Sequence, residues 1–431
     1  MLAPEEKSVL IIGINFSPEL TGIGKYTGEM VDWLIENNFY CTTVTAFPYY
    51  PYWKIQKPYK NRFYKRETLK NGKLHIYRCP MYVPEQPSGL KRLIQEFSFF
   101  LSSLIMIIYL LFKPKKDYIF CIAPPFHLGF LALIYRFFKG GEIIYHIQDL
   151  QIEAARDLEI LKSKAAFKAL FALEKQIMQR VNFVSTISAG MLKKVSNKID
   201  KEILFFPNWV DTATYCPLYD NAELKILWGF NPKDKIVLYS GSIGEKQGLD
   251  GILQVAKQLE SSGFIKFVIC GTGPYKEKLI ESAREMKLHN VHFVPLQEPD
   301  MFNNFLNMAD IHLVLQKKSA SDLVMPSKLT TILAVGGLAL VTAEPGTNLF
   351  EIINDNRMGV VIPSENLRSL ENAILSCCTL DNSLVKSNGR IYAENHLNKN
   401  SILKKILGIL EDRPIKVNEK DRQSLEYLEL K

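Results

Sequence analysis

Residues Lys235–Gly248 read KIVLYSGSIGEKQG: a short apolar run, then a loop with glycines at 241, 244 and 248, then a helical pattern from Gly248 to Glu260. A β-branched and aromatic run of this length predicts a buried strand, and the glycines let the backbone turn sharply into a helix. The same grammar opens the chain. Ser8–Asn15 (SVLIIGIN) is strand-like, Phe16–Tyr26 (FSPELTGIGKY) is a glycine-bearing loop, and Tyr26–Asn37 is helical. A pattern that starts twice predicts two α/β lobes.

Working outward, Tyr40–Ala46, Leu74–Cys79, Asp117–Ile122, Glu142–Ile147 and Asn182–Ile187 continue the first set of strands. Helical stretches at Phe126–Lys139 and Ala165–Gln179 lie between several of them. Ile265–Gly271, Val291–Val294, Asp310–Leu315, Leu338–Thr342 and Gly359–Ile362 continue the second set, with helices at Tyr275–Met286 and Pro299–Met308. Strand and helix in alternation imply parallel βαβ units covered on both faces. The reading is therefore α/β, with two Rossmann-like doubly wound lobes and an interlobe cleft. Residues 1–206 form the first lobe, 207–217 a proline-bracketed linker, 218–396 the second lobe, 397–412 a C-terminal helix and 413–431 a charged tail. Ligands of such sheets bind beyond the carboxyl ends of the strands.

A chain of 431 residues is too long for one ordinary core, in keeping with two lobes. Hydrophobic residues at 47% and charged residues at 23% exclude disorder over most of the length. The net charge of +8 favours anionic partners without choosing among them. Seven scattered cysteines lack C-x-x-C spacing, which points to a reducing compartment without a disulfide framework. The opening MLAPEEKS is acidic and polar, so no secretory signal is expected.

Phe97–Phe112 (FSFFLSSLIMIIYLLF) carries no charge over sixteen residues, between Lys91-Arg92 and Lys113, Lys115 and Lys116. As a helix it would be about 24 Å long, short of a hydrocarbon core roughly 30 Å thick. It fits a buried helix, a helix at the lipid interface beside a basic collar, or, least well, a span.

Chemistry is expected at the strand ends. Gly22 and Gly24 open the backbone before a helix N-terminus, which favours an anion, although the spacing fails the dinucleotide fingerprint G-x-G-x-x-G. That failure, with the missing acidic ribose partner, argues against a nicotinamide enzyme. Gly241 and Gly244 with Lys246 suit a diphosphate, and Gly271 and Gly273 form a second glycine turn at a strand-to-helix junction, a further candidate for contact with the same ligand. His146 and Asp149 stand at the end of an apolar strand, where they can reach a sugar or can simply be hydrogen-bonded structure. His289 and His292 lack the carboxylate or cysteine neighbours of a metal site, and no metal is expected.

Taken together, several motifs resemble the retaining GT-B glycosyltransferases of the large bacterial family 4 group. Within it the likeness is greatest to the colanic acid biosynthesis glycosyltransferases, described as fucosyltransferases of exopolysaccharide assembly. The residues that carry it are NFSPELTGIGKYTGEM (15–30), FPYYPYW (47–53), YRCPMYVPEQPSGLKRL (77–93), HIQDL (146–150), STIS (185–188), FFPNW (205–209), YSGSIGEKQGLD (239–250) and MPSKLTTILAVGG (325–337). The resemblance implies a nucleoside diphosphate sugar as donor, held mainly by the second lobe without a metal or other cofactor. It implies Lys246 and the Gly241–Gly244 backbone at the diphosphate, Gly22 and Gly24 facing it, and His146 or Asp149 at the transferred sugar. It also implies a lipid-linked acceptor at the cytoplasmic face of the inner membrane, a peripheral attachment there, and no nucleic acid partner.

Two positions depart from the family pattern. Of the two glutamates usual in the second lobe, the later position is Thr331 and the earlier falls at Leu323 beside Asp322; the basic residue usual after Gly241 is Ser242. Ser327 and Lys328 therefore become candidates for the donor contacts, with Thr331 beside them and amides of a helix behind Pro326 aimed at a phosphate. A non-catalytic nucleotide-sugar-binding protein of the same fold is the alternative to a transferase.

Overall fold

The computed structural model describes residues 7–157, 163–318 and 326–411; the side chains at 154, 246 and 411 lie outside the described set, as do Asp322, Leu323 and the tail. In the first lobe, eight strands make one sheet: β1 (Ser8–Ile12), β2 (Tyr40–Ala46), β3 (Lys65–Leu69), β4 (Leu74–Cys79), β5 (Tyr118–Ala123), β6 (Glu142–Ile147), β7 (Phe183–Thr186) and β8 (Ile203–Phe205). Their order is β3-β4-β2-β1-β5-β6-β7-β8. The helices are α1 (Gly22–Glu36), α2 (Gly89–Leu110), α3 (Leu128–Lys139), α4 (Gln151–Asp157), α5 (Lys164–Arg180) and α6 (Ala189–Ser196).

In the second lobe the strands are β9 (Lys235–Ser240), β10 (Ile265–Cys270), β11 (Val291–Val294), β12 (Ile311–Val314), β13 (Ala339–Thr342) and β14 (Val360–Ile362), in the order β11-β10-β9-β12-β13-β14. Around them lie α7 (Asn221–Leu227), α8 (Asp250–Gln258), α9 (Lys276–Glu285), α10 (Phe302–Asn307), α11 (Ser327–Ala334), α12 (Asn348–Asp355), α13 (Leu367–Thr379) and α14 (Ser383–His396). Then comes α15 (Lys399–Glu411).

The central strands are apolar because both faces are covered, as parallel sheets require: β5 is buried at every residue. One strand breaks the all-parallel expectation. β3 pairs antiparallel with β4 at the sheet edge, and its exposed Lys65 and Arg66 protect that edge from further pairing. Chain order reverses beside β1, between β2 and β5, and beside β9, between β10 and β12. In sheets of this kind the loops after such strands are where ligands generally bind.

The lobes are tied twice. Val210 bridges to Asn398, and Arg390 donates to the carbonyls of Thr212 (3.0 Å) and Tyr215 (2.8 Å). α15 then returns to the first lobe, where Ile402, Leu403, Ile406 and Leu410 join the core of Met30, Leu34 and Phe39. Trp33 Nε1 donates to Asn400 Oδ1 at 2.9 Å.

α2 begins at Gly89, eight residues before the uncharged run, so the helix is about 33 Å long and passes the length and composition expected of a membrane-crossing helix. One face is core: Gln95, Phe99, Ser103, Met106, Ile107 and Leu110 are buried, and the helix packs on β2, β4 and α3. The opposite face carries Leu90, Ile94, Phe97, Leu101, Ile105, Ile108 and Phe112, all exposed, with Phe112 at 83%. Steps of three and four residues make this a continuous apolar stripe. The buried-helix reading describes one side of this helix; the other side is exposed and apolar.

A glycine-bracketed cradle with a buried lysine

The loop after β9 is locked to the loop after β10. Gly241 N–H donates to Cys270 O (2.9 Å), Ile243 N–H to Thr272 O (2.8 Å) and Tyr275 N–H to Ile243 O (3.2 Å). The second glycine turn exists for this contact. A Cβ at Gly271 would stand 1.9 Å from Gly241 O, and one at Gly273, whose φ is +157°, would stand 2.0 Å from Ile243 O. Gly271 and Gly273, candidates for ligand contact, let two backbones lie against each other and so set the course of residues 241–243. Gly244 N–H donates to Gln247 Oε1 (3.0 Å), closing the single turn at 245–247. The Lys246 side chain lies outside the described residues.

Lys328 arrives at this loop from the other side. It is the second residue of α11, which starts at Ser327 behind Pro326, as expected from proline's preset φ. Its Nζ lies 3.7 Å from the centre of the Tyr239 ring and 3.1 Å from the point where a Gly241 Cβ would be. That nitrogen is shut off from solvent and has no hydrogen-bond partner. Burial brings its pKa from 10.5 down to about 7. A ring face offsets only part of the cost of desolvating an ammonium. The remainder is met by loss of the proton, which leaves an amine able to regain its charge beside the first amides of α11 and the 241–244 backbone. Thr331, one turn on, is buried; its neighbour Thr330 shares a hydroxyl hydrogen bond with Tyr26 of α1, where the two lobes meet.

Beside this loop a small pocket of about 40 Å³ opens among Gln247, Gly248, Gln316, Lys317, Thr342 and Glu365. Gln316 Nε2 is buried there without a partner.

In the first lobe, Gly22 (φ +62°) starts α1 against the Tyr50 ring. Gly24 makes room for a carboxylate: its Cβ would stand 2.6 Å from Glu19 Oε2. Glu19 is buried, and it accepts from Asn15 Nδ2 (2.8 Å), Tyr49 N–H (3.0 Å) and Tyr50 N–H (2.9 Å). Desolvation raises its pKa despite these donors. This latch between the 16–22 loop and the FPYYPYW segment was missed from the sequence, although an acid inside an otherwise apolar FSPEL was its signal.

His146 lies on β6 at 2% exposure, its Nδ1 2.9 Å from Ser185 Oγ and its ring 4.6 Å from that of Phe206. Burial pushes its pKa down to about 3, so the imidazole is neutral at physiological pH. It can offer a hydrogen bond but not a positive charge. Asp149 is exposed in the following loop. Among the described residues no three His, Cys, Asp or Glu side chains gather to hold a metal ion. His292 packs edge-on against Phe230 at 5.1 Å.

A family model described as glycosyl transferases group 1 matches residues 220–390. The chain is 38% identical over 408 residues to a protein of Escherichia coli (strain K12) named as a colanic acid biosynthesis glycosyl transferase, WcaI. The match spans 93% of this chain and 98% of that protein. Solved structures share the fold at lower identity. Sucrose-phosphate synthase from Thermosynechococcus elongatus superposes with a TM-score of 0.71 at 13% identity, covering 94% of this chain and 98% of that one. Anabaena HepE in complex with UDP gives 0.67 at 12%, covering 94% and 99%. WaaG, a glycosyltransferase involved in lipopolysaccharide biosynthesis, gives 0.60 at 13%, covering 93% and 99%. With two parallel-sheet lobes of GT-B architecture and a full-length relative well above 30% identity, the chain belongs to the group 1 glycosyltransferases.

Proposed function

We propose that the protein transfers a sugar, with retention, from a nucleoside diphosphate sugar to a lipid-linked acceptor in exopolysaccharide assembly; its Escherichia coli relative is named for glycosyl transfer in colanic acid biosynthesis. The observation that carries the donor half is Lys328: a buried amino group that titrates near 7 and has no hydrogen-bond partner, against a glycine loop and a helix N-terminus. As the bond between the anomeric carbon and the phosphate oxygen breaks, negative charge collects on the leaving diphosphate. Lys328, Lys246, the Ser327 amide and the Gly241–Gly244 backbone meet that charge, while the acceptor hydroxyl oxygen bonds to the anomeric carbon from the same face and passes its proton to the departing phosphate oxygen. Gly22 and Gly24 face the diphosphate from the first lobe, Thr331 lies at the donor's edge, and neutral His146 or Asp149 contacts the transferred sugar. The donor class has a parallel in HepE, solved in complex with UDP-glucose.

Charge neutralisation by lysines and amides makes the reaction metal-independent. Release of nucleoside diphosphate from UDP- or GDP-sugars, with a lipid diphosphate acceptor present, should continue in EDTA. Activity abolished by chelator and restored by manganese would contradict this.

The acceptor half rests on the α2 stripe, flanked by Lys91 and by Lys113, Lys115 and Lys116. An apolar helix face beside a cationic collar suits attachment to an anionic cytoplasmic leaflet, each cation adding about 1 kcal/mol. Sedimentation with anionic vesicles should be strong at low salt and weak at high salt, since charges beyond roughly 8–10 Å are screened. Changing the four lysines to glutamine should release the protein. Binding that resists salt and carbonate, or none at any salt, would contradict peripheral attachment.

A further inference from the structure

A second polar cluster stands at the head of α2, apart from the donor cradle. Glu96 is its centre: Oε2 accepts from Gln151 Nε2 at 2.5 Å, and its carbonyl lies 3.3 Å from His127 Nε2. Gln151 is held in turn, accepting Phe126 N–H at 3.2 Å. Gln95 sits beneath at 2% exposure, with its Nε2 unpartnered. One turn before Glu96, the Arg92 guanidinium lies over the Trp53 ring at 4.8 Å. Trp53 has φ +53°, an unfavourable conformation for a bulky residue, and is held edge-on by Tyr49 and Tyr50.

Three features give the cluster a direction. Toward the donor it reaches the cleft through Tyr50, whose ring meets the start of α1 at Gly22. Toward the surface it joins the exposed apolar stripe: Phe97 stacks on Phe100 at 6.4 Å, and Phe100 meets His127 edge-on at 5.3 Å. Its polar equipment is a guanidinium, a carboxyl, two amides and an aromatic face, with one buried amide donor unspent.

We propose that Arg92, Glu96, Gln151 and the Trp53 ring form the acceptor subsite. It takes a lipid headgroup that joins a phosphate to a hydroxyl-bearing ring, while the lipid chain lies along the α2 stripe. The assignment rests on reading the protein as a transferase with a lipid-linked acceptor. Arg92 pairs with the phosphate, since a guanidinium on an aromatic face is suited to bidentate anion recognition. Glu96 and Gln151 hold ring hydroxyls. Burial lifts the Glu96 carboxyl to about 7, so near neutral pH it both donates and accepts.

The test uses the full chain and two probes, farnesyl diphospho-glucose and farnesyl glucoside, titrated by calorimetry, with UDP and GDP titrated in parallel. The wild type should bind the diphosphate probe more tightly. Arg92→Ala should weaken it by about tenfold to a hundredfold and erase its advantage over the glucoside. Glu96→Ala should weaken both probes about tenfold, Glu96→Gln should recover most of that loss, and every variant should keep the wild-type nucleotide affinity. Unchanged probe affinity in both alanine variants, or no probe binding by the wild type, would overturn the subsite. Probe behaviour as expected without nucleotide binding in the wild type would support the subsite and overturn the donor reading instead.

Discussion

Lys328→Met should stabilise the ligand-free protein and at the same time weaken its hold on a nucleoside diphosphate by about tenfold to a hundredfold. The two effects share one cause. Burial without an anion takes the ammonium from 10.5 to about 7. At 1.36 kcal/mol for each tenfold change in the proton equilibrium, the charged form costs on the order of 5 kcal/mol of folding stability. The unfolded chain keeps the lysine proton up to about pH 10.5, whereas the folded chain sheds it near 7. Between these values the unfolded state holds more protons, so wild-type stability rises with pH across that window. The methionine variant lacks this dependence. Its advantage is largest below pH 7 and vanishes near pH 10.5, read from denaturant midpoints at several pH values. The lost affinity is the charge-assisted contact to phosphate, worth roughly 1.5–3 kcal/mol. A variant no more stable at pH 6 than the wild type, or one that binds UDP and GDP as the wild type does, would contradict this role.

The second large effect is expected at Gly273. Alanine there places a Cβ 2.0 Å from Ile243 O, 2.6 Å from its carbonyl carbon and 2.9 Å from its nitrogen. All three are backbone atoms, so no side-chain rotation relieves the clash. Either the two glycine loops separate, breaking the Ile243–Thr272 and Tyr275–Ile243 hydrogen bonds, or the strand ends shift. We expect a loss of about 3 kcal/mol or more, together with donor affinity, because the displaced loop is the floor of the cradle. Gly263 provides the control. It also has positive φ (+72°), but no atom lies within 4 Å of its Cβ position. Gly263→Ala should cost only about 1 kcal/mol and leave donor affinity intact. Equal effects at the two positions would contradict the interlocked-loop account.

Much of this architecture is legible in local pattern. β2, β4 and β6 fall on the residues that alternation and β-branching single out, because a buried parallel strand must be an apolar run whatever surrounds it. β3 escapes notice because an edge strand is free to be charged, and KRETL carries no apolar signal. The first turns of α2 escape because Gly89–Glu96 mixes lysine, arginine and leucine; only packing against β4 and α3 shows which face turns inward.

The site divides in the same way. Gly241 and Lys328 are visible as residue types beside strand and helix ends, but they are 87 residues apart in a sequence that cannot report that they touch. Gly271 and Gly273 stand where expected for a reason the sequence does not express, backbone packed on backbone. Glu19, Glu96 and Gln151 are ordinary polar letters until tertiary structure buries them, and the sequence leaves open whether His146 is a sugar contact or hydrogen-bonded structure, while burial shows its imidazole to be neutral.

The most direct test of the donor cradle is the proton balance of nucleotide binding. Titrate UDP and GDP into the protein at pH 8 in two buffers of different ionisation enthalpy. With Lys328 near 7 before binding, most molecules hold a neutral amine at pH 8; an arriving diphosphate favours the ammonium and raises its pKa. Close to one proton should be taken up per nucleotide bound by the wild type, and none attributable to this position by Lys328→Met. Tight binding with the same proton balance in both proteins, or no binding of either nucleotide, would contradict the assignment of Lys328 as the counter-cation of the donor diphosphate.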